Sequence, residues 1–139
     1  MLNLVLGNLA AMTDAQKAAV GAASPAFIEQ NIKALNTPWF RDLLDYDPQP
    51  ALRALRCPVL ALNGEKNLQV SAKTNLAAIR AALAESGSKL VRVEELPGLN
   101  HLFQTCQTGL PVEYGKIEET FSPVALALIA DWISTVVAR

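Results

Sequence analysis

One short segment of the sequence, LPGLNHLF at residues 96–103, contains the single histidine of the chain, His101. Imidazole exchanges a proton near neutral pH, which makes histidine the residue most often used for acid–base catalysis. The flanking pattern puts His101 on a loop between a strand and a helix, and such loops often carry catalytic side chains. The residue is therefore a candidate general base, or else the remnant of a site whose other members are gone.

The remaining reactive side chains predict less chemistry. Cys106 follows His101 closely and would be a nucleophile only as a thiolate, but no sequence neighbour positions it. Five acidic side chains could suggest a cation site: Glu94, Glu95, Glu113, Glu118 and Glu119. With one histidine and no ligand spacing, we expect a solvated acidic surface and neither a metal nor another cofactor.

The composition is that of an ordinary folded domain. Of the 139 residues, 51% are hydrophobic and 18% are charged. A chain of this length can bury about two thirds of its unfolded surface. The 12 basic and 13 acidic residues are scattered without a basic run or stripe, so nucleic-acid binding is disfavoured.

Membrane and secretory features are weak. The opening residues, MLNLVLGNLAAM, are apolar but too short to cross a bilayer, and they lack the basic region and cleavage site of a leader. Cys57 and Cys106 form neither a CxxC pair nor a disulfide framework, which is typical of a reducing compartment. We expect a cytoplasmic protein without membrane association.

Residues 1–56 predict short helices without a strand. Each helix start carries a recognisable cap or an early proline. These starts are the Thr13 and Gln16 pair, Ser24-Pro25, Thr37-Pro38 and Asp47-Pro48. We do not expect such short helices to form an independent core, although Trp39 and Phe40 are expected to be buried.

After Cys57-Pro58 the pattern changes to alternating strands and helices. The run PVLALNG predicts a strand buried on both faces, and Ser71 starts a helix that extends to about Glu85. A second strand, KLVRVEEL, precedes the His101 loop, and Ser122 caps the closing helix. Apolar stripes are predicted at Leu76, Ile79 and Leu83, and at Leu126, Ile129, Ile133 and Val137. This order predicts an α/β fold with two parallel strands and a right-handed crossover.

Two buried parallel strands make an unusually small sheet. Parallel sheets normally have more strands and helices on both faces. The pattern is therefore typical of the end of a larger α/β sheet. A chain of this kind has an open strand edge, which self-association would cover.

Several segments together resemble the C-terminal portion of α/β-hydrolase-fold enzymes, in particular the bacterial esterase and serine-aminopeptidase-like group. These segments are DYDPQPALRALRCPVLALNGEKNLQV, LPGLNHLFQ and EYGKIEETFSP. The resemblance covers residues 39–133, and the residues before 39 resemble the end of a lid. It implies remnant lid or cap helices at 1–56 and a C-terminal hydrolase segment at 57–139, together one folded unit with a partial α/β-hydrolase fold.

The resemblance assigns two site residues. His101 falls on the family's catalytic histidine, and Asn67, in GEKNLQV, falls where the family has its acid, usually as GEKD. An asparagine brings no charge and can hold the ring in the wrong tautomer; in serine proteases this change lowers turnover about ten-thousandfold. Glu65 is a weaker candidate for the missing carboxylate. No G-x-S-x-G or HGGG segment occurs, which excludes a complete Ser-His-Asp site within these residues.

Three functions remain open from the sequence. The first is a truncated relative of a serine esterase that is inactive alone and forms a homodimer. In the second, the chain supplies His101 to a serine on another chain, which makes it one half of a split hydrolase of carboxylic esters. The third is a protein without catalysis that binds a small apolar acyl or ester ligand beneath the lid helices.

Overall fold

The computed structural model describes residues 36–138, together with Asp14, Glu29, Ile32 and Lys33. The chain divides into two compact units, with the boundary between Asp47 and Pro48. The predicted caps at Thr13 and Ser24 lie outside the described residues. The assignment of residues 1–56 to a lid stays a prediction.

In the first unit, helix α1 (Pro38–Asp45) begins as predicted. The Thr37 hydroxyl accepts a hydrogen bond from the Phe40 backbone N–H at 3.2 Å, and Pro38 takes the first helical position, where no N–H is needed. Trp39 is 70% exposed, so its expected burial is wrong. The helix is too short for its cap alone to stabilise it.

The second unit begins with helix α2 (Gln49–Ala54). Pro48 rather than Asp47 occupies its cap position and provides no side-chain hydrogen bond, so the cap predicted at Asp47 is wrong. Arg53 of this helix forms an ion pair with Glu85 at 2.8 Å. Both side chains are largely exposed, and the pair contributes little to stability.

The predicted strand–helix–strand unit is confirmed. Strands β1 (Val59–Gly64) and β2 (Val91–Leu96) pair in parallel, with Val59 opposite Val91 and Gly64 opposite Leu96. Helix α3 (Ala72–Ala84) connects them. The Ser71 hydroxyl caps it by accepting from the Thr74 N–H. The described part of the chain therefore forms a mixed α/β structure with a two-stranded parallel sheet.

The strands are less buried than their sequence predicts. Within β1 only Asn63 and Gly64 are buried, and within β2 only Leu96 is. The prediction of burial on both faces is therefore wrong, because in the described residues the sheet has no third strand and little cover. A small core gathers where the strands end, around Leu96, Leu99 and Ala125, with Leu62, Phe103, Phe121 and Leu128 packed against it.

The closing helix α4 (Pro123–Val137) follows Ser122, but the Ser122 side chain makes no capping hydrogen bond. The predicted buried stripe is also wrong. Leu126, Ile133 and Val137 are 53%, 54% and 78% exposed, whereas Ala125 is fully buried. This helix is apolar around most of its circumference, so periodicity does not select the inward face. The small Ala125 allows close packing, and the face that carries it is the one that points inward.

No helix among the described residues combines the length and apolar character needed to cross a bilayer.

A close backbone approach at Gly64 joins the ends of the two strands. A Cβ atom built on Gly64 would overlap the Leu99 carbonyl oxygen and lie 2.6 Å from that of Asn100. Both obstacles are backbone atoms, which cannot rotate away as a side chain can. Only glycine fits between β1 and the loop that follows β2.

We expect Gly64→Ala to lower the free energy of unfolding by about 1–3 kcal/mol, because the new methyl group must displace backbone. Gly115→Ala is the matched control, since a Cβ there meets no atom within 4 Å. Urea denaturation of both variants measures the difference. Equal midpoints for the two variants would show that the approach at Gly64 is not tight.

Candidate functional site

The hydrogen-bonded contact between β1 and β2 continues past the ends of the strands. The Glu65 N–H donates to the Leu96 carbonyl and the Lys66 N–H to the Leu99 carbonyl, both at 2.9 Å. The Glu65 carboxylate accepts from the Gly98 N–H at 2.8 Å. The two loops therefore run side by side, which places residue 67 of one loop next to residue 101 of the other.

Asn67 and His101 are in contact. The Nδ1 atom of His101 lies 3.2 Å from Oδ1 of Asn67, although 34 positions separate them in the sequence. Asn67 is 9% exposed and His101 is half-buried. The two positions that the resemblance assigns to acid and base thus meet through the ring nitrogen that a triad acid would contact. Their catalytic roles stay a prediction.

Asn67 is held by further hydrogen bonds within its own turn. Its Oδ1 accepts from the backbone N–H groups of Gln69 at 3.1 Å and Val70 at 2.9 Å. Its Nδ2 donates to Oδ1 of Asn63 at 2.7 Å, and Nδ2 of Asn63 donates to the Val70 carbonyl at 3.2 Å. Both atoms of the Asn67 amide are therefore occupied by protein partners.

Asn100 organises the loop that carries His101. It is completely buried, its Oδ1 accepts from the N–H groups of Leu102 and Gln104, and its Nδ2 donates to Oε1 of Gln104. Phe103, within this turn, has a φ of 58°, which is uncommon outside glycine. The hydrogen bonds of Asn100 stabilise this conformation and set the direction of the His101 backbone.

The segment before α4 holds the same loop from the other side. Gln104 donates to the Glu119 carbonyl at 3.0 Å, and the Thr105 N–H donates to the Glu119 carboxylate at 2.6 Å. The rings of Phe103 and Phe121 stack with their centroids 5.3 Å apart. His101 is thus carried on a loop fixed at both ends, as a positioned side chain requires.

The other reactive side chains have different partners. Burial, followed by the charge of Glu113, raises the pKa of the Cys106 thiol, and its Sγ donates weakly to the Gly98 carbonyl at 3.4 Å. This cysteine is not the low-pKa type used as a nucleophile. Glu65, which the sequence offers as a substitute acid, is bonded to the Gly98 N–H.

Three of the acidic side chains, Glu94, Glu113 and Glu119, have separate partners in the structure. Glu94 pairs with Arg92 at 2.7 Å, Glu113 accepts from the Thr108 and Gly109 N–H groups, and Glu119 accepts from Thr105. In the part of the chain that the structure describes, no three residues among histidine, cysteine, aspartate and glutamate converge. Glu113 and Glu119 therefore hold loop backbone, and Glu94 pairs within β2.

A shallow depression of about 360 Å³ lies away from Asn67 and His101. It is lined by Arg80, Leu83, Ala84, Ser86, Ser88, Lys89 and Val91. Its lining is mixed and partly charged, unlike a site for an apolar ligand. The apolar pocket predicted beneath the lid helices stays a prediction.

Comparisons with models of protein families, with curated proteins and with solved structures found no match to this chain. The fold and the site together define an α/β unit with an Asn–His contact at the carboxyl ends of two parallel strands.

Three buried polar residues of the site were missed by sequence reasoning: Asn63, Asn100 and Gln104. The Asn63-Gly64 pair predicts only the end of a strand, yet Asn63 is paired within β1 and its side chain accepts a hydrogen bond from Asn67. The available signal was an asparagine directly after an apolar run, in LALNG and again in PGLN. A polar residue that interrupts a core segment must have partners, which is a reason to suspect a network.

Glu113 makes the loop that contains Cys106 sensitive to acid. Burial opposes its ionisation, but the hydrogen bonds from Thr108 and Gly109 outweigh that cost and lower its pKa below the ordinary 4.5. A lowered pKa gives stability that is complete above the ordinary value and is lost as pH falls through the lowered one. Relative to Glu113→Gln, the native chain should therefore lose stability as the solution is acidified below about pH 4.5.

Urea midpoints measured across this acidic range test the expectation. Glu118→Gln, which removes an equal charge from an exposed residue, is the control. A difference between native chain and Glu113→Gln that stays constant with pH would contradict the role of Glu113.

Proposed function

We propose that these residues are the C-terminal part of an α/β-hydrolase-like protein, that they carry the histidine arm of a serine esterase type of site, and that they hydrolyse no ester alone. The observation that carries the proposal is the 3.2 Å contact between Nδ1 of His101 and Oδ1 of Asn67. The resemblance supplies the family, and position 67 precedes position 101 along the chain, which is the order of acid and base that it implies.

The position of the contact supports this function. Asn67 follows β1 and His101 follows β2, and the two strands are parallel. The carboxyl ends of parallel strands lie at the same end of a sheet, which is where open α/β sheets bind their ligands. A histidine that lies at this end of the sheet, on a well-anchored loop, is suitably placed for chemistry on a substrate.

The absence of activity in the isolated chain follows from the missing nucleophile. No G-x-S-x-G segment occurs in the sequence, and without a positioned serine no acyl-enzyme forms. Cys106 is poorly suited to replace it, because its Sγ donates to the Gly98 carbonyl and burial raises the pKa of its thiol. A serine and its oxyanion hole would have to come from outside these residues.

Self-association is part of the proposal. In the described residues each strand has a single partner, so one edge of β1 and one edge of β2 are open. Leu126, Ile133 and Val137 also present an apolar face on α4. Open edges and apolar faces favour association, and a two-fold dimer is the simplest closed arrangement that covers them.

A second candidate function is a split hydrolase in which His101 serves a serine on another chain and a small carboxylic ester is the substrate. Among the described residues no hydrogen bond engages Nε2 of His101, whereas Nδ1 is bonded. Nε2 is the atom that takes the proton of a nucleophilic serine. A histidine whose Nε2 has no hydrogen bond within the described part of the chain favours the split enzyme over a binding protein.

We expect the purified chain to hydrolyse p-nitrophenyl acetate no faster than an equal concentration of N-acetylhistidine. Free imidazole cleaves this ester slowly, so the comparison separates a mere exposed ring from a catalytic site. The chain should also resist labelling by a fluorophosphonate, which reacts with activated serines.

Light scattering during size-exclusion chromatography of the same sample is expected to give the mass of a dimer.

The control is His101→Ala assayed in parallel. Turnover far above free imidazole that disappears in His101→Ala would contradict inactivity and require a nucleophile within the chain. A monomer at all concentrations would overturn the proposed self-association without affecting the assignment of His101.

A further inference from the structure

The orientation of the Asn67 amide is determined by backbone groups. Its Oδ1 lies 3.1 Å and 2.9 Å from the N–H groups of Gln69 and Val70. A backbone N–H only donates, so the side-chain atom that faces both groups must be an acceptor. Turning the amide over would point its own N–H groups at two donors, so that the buried amide of Asn67 and both backbone N–H groups would lose these hydrogen bonds.

The other end of the network leads to the same orientation. Nδ2 of Asn67 donates to Oδ1 of Asn63, and Nδ2 of Asn63 donates to the Val70 carbonyl. A carbonyl only accepts, so the Asn63 amide cannot be turned over either. Val70 therefore fixes both side-chain amides, one through its C=O and the other through its N–H.

The contact with His101 then has one possible direction. Oδ1 of Asn67 carries no hydrogen, so the ring nitrogen 3.2 Å away must be the donor. In a neutral imidazole only one nitrogen carries a proton. If that nitrogen is Nδ1, then Nε2 holds the lone pair.

We infer that Asn63 and Asn67 form an amide relay, anchored on Val70, which holds neutral His101 as the Nδ1–H tautomer and leaves Nε2 as the proton acceptor. Asn67 is the positioning residue for His101, and Asn63 positions Asn67. The inference concerns one ring in the isolated chain, so it goes beyond the proposed hydrolase function and can be tested without it.

The relay separates two tasks that a triad acid performs together. The acid fixes the tautomer, and its charge stabilises the imidazolium that forms during reaction. When an asparagine replaces the acid, a freely turning amide can donate to the ring and impose the wrong tautomer. Here the amide cannot turn, so the tautomer is retained and only the charge is lost. From the sequence alone, Asn67 could hold the His101 ring in the wrong tautomer. With the amide fixed, we infer the Nδ1–H tautomer instead.

The relay is also specific for an amide at position 67. An aspartate there would still accept from Gln69, Val70 and His101, but its second oxygen would face Oδ1 of Asn63 at the place where Asn67 now donates at 2.7 Å. Asn63 cannot respond by turning over without pointing an oxygen at the Val70 carbonyl. Two acceptors would then oppose each other in a buried position.

The test uses the ¹⁵N spectrum of the imidazole ring, which distinguishes the two tautomers directly. Since the chain has one histidine, its ring signals need no assignment among residues. Spectra are recorded at alkaline pH so that only neutral rings are compared. The native chain should show the proton on Nδ1. A proton on Nε2, the preferred form of free histidine, would overturn the inference.

Two variants separate orientation from mere structural support. Asn67→Leu keeps the approximate size but removes the acceptor, so the ring should revert to the Nε2–H form. Asn67→Asp keeps an acceptor and should retain the Nδ1–H form. The backbone amide signals of β1 and β2 report whether each variant is folded. An unchanged tautomer in folded Asn67→Leu would contradict the relay, and if that variant does not fold, the native spectrum decides alone.

The energetic coupling between the side chains of Asn63 and Asn67 can be measured separately. Asn63→Ala should raise the unfolding equilibrium constant of the native chain by roughly tenfold or more, because Nδ2 of Asn67 loses its buried partner. The same change in the Asn67→Asp background should raise it much less, since it also removes the opposing acceptor. Equal effects in the two backgrounds would show that the two side chains are not coupled and that Asn63 does not position Asn67.

Discussion

The site depends on how closely the end of β1 approaches the loop that follows β2. Gly64 allows this approach because its missing Cβ leaves room for the carbonyl groups of Leu99 and Asn100. The hydrogen bonds from Glu65 to Leu96 and from Lys66 to Leu99 then extend the strand pairing into the two loops. Each hydrogen bond of a ladder positions the groups that form the next one. Residues that extend the ladder are therefore brought together even when they are far apart in the sequence. An asparagine and a histidine far apart in the sequence thereby meet at one hydrogen bond.

This backbone arrangement makes a neutral amide a workable partner for a histidine. Val70 presents a donor to Asn67 and an acceptor to Asn63, so neither amide is free to turn. A base needs an open lone pair before it needs a charged neighbour, and in the arrangement that we infer the amides provide the first without the second. In our account the missing carboxylate reduces the stabilisation of a positive ring but does not remove the base. For the proposed hydrolase function, the missing nucleophile is the greater obstacle.

The sequence predicted the parts of this arrangement that depend on local rules. The caps at Thr37 and Ser71, the two strands and the helix between them follow from turn residues and apolar patterns, and they are confirmed. Burial was not predictable, because it depends on what covers an element: β1 is half-buried, and α4 turns Ala125 inward instead of the larger stripe through Leu126. The Asn67–His101 contact followed from the resemblance alone. Asn63 was missed because its importance lies in the direction of a side-chain amide, which spacing does not encode.

The ladder between the strands continues into the two loops and fixes Asn67 in place. Native-state hydrogen exchange measures this directly at four backbone amides. The Glu65 N–H is bonded to Leu96 at the end of β2, the Lys66 N–H to Leu99 in the second loop, and those of Gln69 and Val70 to Asn67. The account predicts that all four exchange slowly, with protection comparable to that of the paired amides within β1. Exchange of these four amides at the rate of an unstructured peptide, while β1 remains protected, would contradict it.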